Sequence, residues 1–191
     1  MFRVSDKIKL MEAFEYQLER IKCLYKFESH KICEVDDLAK YVGELTENDE
    51  SIVNKSSISF ILEHNKKRFL FLGDAVVDVC LLKSIEKVVG YKYRFSAIKL
   101  PHHGSRYNIS QEFVERYTAD EYYCCTNSKK YSHPDVEVLA SLLCKDTDYK
   151  KMVFNYPIDK ASFIDKEKWK IKYNYEVVTG NGDTYVERIF E

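Results

Sequence analysis

Arg68-Phe69-Leu70-Phe71-Leu72-Gly73-Asp74-Ala75 and, after a helical interval, Phe95-Ser96-Ala97-Ile98-Lys99-Leu100-Pro101-His102-His103-Gly104-Ser105 decide how this chain is read. Both stretches open as apolar β-type runs and end abruptly in groups that bind cations. Phe69 to Leu72 is apolar at every position, which predicts a strand buried on both faces. It stops at Gly73-Asp74, leaving a carboxylate at the strand's C-terminal edge. Phe95 to Leu100 reads as a second strand, and Pro101 ends it because proline has no N–H for a sheet ladder. Gly104 then lets the backbone turn beside the imidazoles of His102 and His103. Two neighbouring strands ending on the same edge would bring Asp74 and His103 together.

Working outward, the pattern alternates between helix and strand. Residues 5–27 carry Leu10, Phe14, Leu18, Ile21 and Tyr25 at three- and four-residue steps, an amphipathic helix. Glu34 to Val42 reads as a second short helix closed by Gly43, and Glu44 to Ser51 as an acidic surface loop. Ser56 to Leu62 alternates as a strand should. With the turn His64-Asn65-Lys66-Lys67 and the strand Arg68–Leu72 it predicts a β-hairpin. Helices are expected from Val76 to Val89, from Ser110 to about Tyr117, and after Pro134 with a stripe of Val136, Leu139, Ala140 and Leu143. Glu121–Thr126 and Met152–Asn155 read as strands, Asn127–Ser132 as a polar loop. Ile171–Val178 and Thr184–Ile189 flank Gly180-Asn181-Gly182 as a second hairpin. The expected class is therefore α/β with a mixed sheet.

Composition narrows the function classes. The 191 residues carry 30 Lys and Arg against 31 Asp and Glu, so no electrostatic footprint for nucleic acid or an anionic membrane arises. No apolar run approaches the roughly 18 residues that span a bilayer. No signal peptide opens the chain, and the six cysteines (23, 33, 80, 124, 125 and 144) lack a framework spacing. They read as small buried hydrophobes in a reducing compartment, hence a cytoplasmic protein. Six glycines, none arranged as a phosphate loop, set aside a doubly wound nucleotide fold.

The candidate chemistry is metal binding. The two oxygens of Asp74 can bridge two cations, and neutral imidazole is a common zinc ligand. His30 sits in a charged region and His64 in the hairpin turn at the opposite strand edge, so both read as surface residues. His133, in a loop between a strand and a helix, falls on the ligand edge. Two protein ligands are too few, since a catalytic zinc usually takes three plus water.

RFLFLGDA, KLPHHGS and YSHPDVEVL, in that order, resemble the second half of the metallo-β-lactamase fold. The nearest branch is the hydrolase domain of bacterial competence (DNA-internalisation) proteins and its small cytoplasmic relatives. NKSSISFIL fits the same pattern, with Asn54 and Ser57 at its polar positions. The resemblance covers roughly residues 50 to 156. It implies that Asp74 is the metal-bridging carboxylate, His103 a ligand of the second metal and His102 an alternative or supporting ligand. It further implies that Ser105 and Gly104 shape the loop at the substrate, and that His133 faces the substrate, contacting a phosphate or assisting proton transfer. The implied cofactor is zinc, two ions in the complete fold, and the implied reaction is phosphodiester or nucleic-acid hydrolysis.

One departure bears on activity. The family's chief metal motif, H-x-H-x-D-H, belongs to the first half of the fold, and no H-x-H occurs here. The chain is therefore expected to hold the C-terminal half of an αββα sandwich, with helices on one face of its sheet. Residues 1–50 would be a helical segment and 51–191 the half-domain, by truncation, gene splitting or degeneration. Two functions follow: a two-zinc phosphodiesterase or nuclease lineage in which this chain holds at most part of the site, or a non-catalytic half-domain. The latter would act through a complementary N-terminal half or a homo-oligomer. An unrelated α/β domain, with Asp74 as a helix cap and His102-His103 as loop residues, is the plain alternative.

Overall fold

The computed structural model describes residues 37–182 and 186–190, so the helix expected over 5–27, His30, Cys23 and Cys33 lie outside the described residues. Six strands lie side by side in chain order: β1 (Phe60–His64), β2 (Lys67–Phe71), β3 (Tyr93–Lys99), β4 (Tyr117–Cys124), β5 (Lys150–Phe154) and β6 (Tyr175–Thr179). Only β1 runs antiparallel to its neighbour; β2 to β6 are parallel. The sheet is therefore mixed, as expected.

Strand order explains where the helices go. Each parallel step needs a crossover, and crossovers are right-handed. Steps that always advance in one direction therefore put every connecting helix on the same face. The connections carry α2 (Val79–Val89), α3 (Gln111–Arg116), α4 (Val136–Lys145), α5 (Asp159–Ile164) and α6 (Glu167–Tyr173). A short α1 (Ile52–Lys55) precedes β1. Leu82, Ile85, Phe113, Leu139, Ile164 and Trp169 from these helices join Leu70, Ile98, Tyr122, Met152 and Phe154 of the sheet in one core. Residues 36–191 form one compact unit, which places residues 37–50 with it rather than in a separate segment.

Local chemistry sets most boundaries. Asn65 and Lys66 both adopt positive φ, the conformation a two-residue hairpin loop requires, and β1 pairs with β2 in the register Leu62 with Phe69. The Asp78 carboxylate accepts from the N–H of Leu81 to start α2, and Gly90 ends it at φ 90°. The Ser110 hydroxyl caps α3 through Phe113 N–H.

Five expectations are corrected. Ile171 to Tyr173 belong to α6, whose Trp169 is buried in the core, so a helical face prevails there over β propensity. No second strand of a C-terminal hairpin forms among the described residues of the tail; β6 pairs only with β5. Tyr117 starts β4 instead of ending α3, and Pro134 stands before the helix, joined to His133 by a cis peptide. Strand β2, finally, is not uniformly buried. Leu70 is in the core, whereas Phe69 and Phe71 are half-buried on the opposite face, which carries no helix among the described residues.

That face has its own partial roof. The tail runs back across the sheet from β6: Arg188 meets Glu121 of β4 at 2.6 Å, and Phe190 packs edge-on against Phe69 of β2 at 5.0 Å. Phe71 stacks on Phe60 with ring centroids 4.8 Å apart. Phe60 and Leu62 on the edge strand stay about half exposed. No helix among the described residues is long and apolar enough to cross a membrane.

Candidate functional site

Because β2 to β6 are parallel, the loops after β2, β3, β4 and β5 all emerge at one edge, where open α/β sheets bind ligands. Asp74 follows β2, His102 and His103 follow β3, Cys125 to Asp135 follow β4, and Asn155 and Tyr156 follow β5. The predicted histidines lie together. The His102 ring is 5.9 Å from the His103 ring and 5.6 Å from that of His133. His64, as expected, is exposed at the other end of β1.

The turn that carries the two adjacent histidines is held against its own preference. His102, His103 and Gly104 have φ of 41°, 59° and 84°, a left-handed run in which only glycine is unstrained. Such strain persists where surrounding contacts over-determine it. Here the His102 N–H donates to Gly73 O at 3.1 Å, tying the loop after β3 to the loop after β2. The Asp135 N–H donates to Gly104 O at 2.9 Å from the other side.

The two histidines are held in different tautomers. His103 Nδ1 lies 2.5 Å from the carbonyl oxygen of Cys125. A carbonyl only accepts, so Nδ1 carries the proton and Nε2 of the neutral ring keeps its lone pair. That is how proteins orient an imidazole that ligates a metal or accepts a proton. The neighbouring Cys124 thiol donates to His103 O at 3.2 Å, so the end of β4 grips this residue twice. His102 is arranged the other way. Its Nδ1 faces the amide nitrogen of Asn54 at 3.0 Å, so Nδ1 accepts and Nε2 carries the hydrogen. Burial, reinforced by His133, holds His102 below the ordinary histidine range against the opposing pull of Asp74 and Asp49.

Asp74 is positioned through its backbone, whose N–H donates to Ser57 Oγ at 2.9 Å. The polar positions noted in the sequence thus support the site: Asn54 orients His102, and Ser57 fixes the turn of Asp74. Ser105 is buried, with its hydroxyl accepting from Tyr107 N–H at 3.3 Å, which fixes the loop after the histidines. His133 Nδ1 is buried and lies 3.6 Å from Asp135 Oδ2, beyond hydrogen-bond length.

Three groups escaped the sequence reading. Asp49, placed in an acidic surface loop, accepts from Asn54 at 2.7 Å and Asn108 at 2.8 Å and lies 3.5 Å from His102 Nδ1. Only its turn with Ser51, whose N–H it accepts at 2.9 Å, had a local signature. Asn108 and Asp135 had none. Asp135 accepts the Arg106 N–H at 2.8 Å. Its carboxyl lies below the ordinary carboxylate range: burial pushes it up, and the neighbouring His133 imidazole and the Arg106 N–H outweigh that.

A cavity of about 420 Å³ opens beside His103 and His133, lined also by Cys125, Lys130, Tyr131, Asn155 and Tyr156. Among the described residues, no group of three or more His, Cys, Asp or Glu side chains is set to hold a metal ion. No protein family, curated protein or solved structure matches this chain.

Proposed function

We propose that this chain carries the C-terminal half of a metallo-β-lactamase-type phosphoesterase site, and that hydrolysis requires donors beyond those of the described residues. The observation that carries this is the His103–Cys125 hydrogen bond, which leaves Nε2 as a lone-pair donor on a ring that lies 5.9 Å from His102 and shares a cavity with His133, while Asp74 acts on His102. A loop histidine with no ligand has no need of a fixed tautomer in a strained turn. The sheet face that carries no helix among the described residues supports the reading as well, since a sandwich packs its second sheet there. In such a site His103 and Asp74 would hold zinc. The N–H of His102 would steady a phosphoryl oxygen, and His133, backed by Asp135, would handle a proton. Because the donors here do not close around a metal, no catalytic step is assigned to the chain alone.

Zinc titration of the purified chain by calorimetry tests the proposal. Weak zinc binding is expected, weakened a further 10- to 100-fold in His103→Ala, with no turnover of bis(p-nitrophenyl) phosphate by the chain alone. Zinc binding that His103→Ala and Asp74→Ala leave unchanged would overturn it.

A further inference from the structure

We infer that the cavity beside His103 and His133 is a nucleobase pocket, taking the base of a nucleoside monophosphate whose phosphate rests against the histidines. The placement of the phosphate rests on the reading above; the base pocket stands on separate observations. At about 420 Å³ the cavity is within the size range of small-molecule sites, and far more than a phosphate alone would occupy.

Its lining fits a flat, hydrogen-bonding ring. Tyr131 and Tyr156 contribute aromatic surface, and the Tyr131 ring already stacks on His133 with centroids 6.1 Å apart, an aromatic stack that a base would extend. Tyr156 is held in place by the backbone of Gly182: a Cβ there would lie 2.3 Å from its ring. The Asn155 side-chain oxygen is engaged by Thr126 N–H at 2.9 Å, which leaves the amide NH2 to donate to a ring nitrogen or exocyclic oxygen. Lys130 sits 4.9 Å from the centre of the Tyr131 ring, a cation beside the cavity that suits an anionic ligand. The Asn127–Ser132 loop, which the hydrolase reading leaves without a role beyond His133, thereby gains one.

The test is equilibrium binding of adenosine 5′-monophosphate and ribose 5-phosphate to the full chain in the presence of chelator, by calorimetry or saturation-transfer NMR. Adenosine 5′-monophosphate should bind about tenfold more tightly, in line with the worth of one stacked base. Tyr131→Ala should remove about that factor while leaving ribose 5-phosphate unchanged, and Tyr131→Phe should retain it. Tyr131 is about half exposed, so its variants should keep the native melting temperature. Equal affinity for the two ligands, or a Tyr131→Ala variant that binds both as the parent does, would overturn the pocket. Base-dependent binding alongside zinc binding indifferent to His103 would sink the hydrolase reading and leave the pocket standing. The converse pair of results would do the opposite.

Discussion

The two edges of the parallel sheet treat their polar side chains in opposite ways. At the N-terminal edge, Arg116 is buried and donates to Tyr91 O, Glu112, Glu86 and the Tyr117 hydroxyl. Arg94 donates to Asp120, Asp146 and Tyr149 O. Lys150, fully buried, uses its three N–H bonds on the carbonyls of Asp146, Asp148 and Tyr173. At the C-terminal edge His103 keeps a lone pair, His133 Nδ1 has no hydrogen-bond partner, and the loop between them opens on a cavity. Saturated polar groups hold a structure together; groups left with open valence are what a ligand can use.

The largest effect that would break this contrast is expected at Lys150. Lys150→Ala orphans three carbonyls and leaves a void, and should cost about 3 kcal/mol in urea denaturation. Lys150→Met, which restores the stem and not the donors, should recover only part of that. Full recovery would mean that the N-terminal network is not structural.

Gly104→Ala tests the opposite edge. Its Cβ would lie 2.7 Å from Pro134 Cβ in a backbone at φ 84°, so about 2 kcal/mol of stability should be lost. The same variant should weaken zinc and nucleotide binding together, because the histidine turn shifts. A stability loss with binding intact would separate the turn from the site.

The smallest effect is an acid dependence. Asp135 has a folded pKa below its ordinary 3.8, so the unfolded chain takes up the proton first as pH falls. Its stabilisation is complete above the ordinary carboxylate range and is lost as pH drops through the folded value. Asp135→Asn should therefore flatten the acid limb of the urea midpoint against pH, and an unchanged limb would show that the carboxylate is not paired in solution.

Legibility followed the range of the interaction. The β1–β2 hairpin, the body of α2 (though it starts at Val79 and not Val76) and the strand end at Pro101 were readable, because each depends on residues a few positions apart. The C-terminal hairpin misled because Gly180-Asn181-Gly182 is a sound local turn signal, while the tail is captured elsewhere, by Glu121 and Phe69. Of the candidate site, Asp74, His102, His103 and His133 were found because each ends or follows a strand pattern. Asp49 and Asn108 were not, since they are 59 residues apart and meet only across the loops.

From residue order alone came the alternation of strands and helices and the delivery of histidines and a carboxylate to one set of strand ends; hydrophobic period and chain-breaking residues are local properties. Tertiary structure alone decided which imidazole nitrogen bears the proton, which acidic groups stand beside the histidines, and which sheet face goes without helices. Those depend on register and crossover hand, which bring together groups that no sequence window contains.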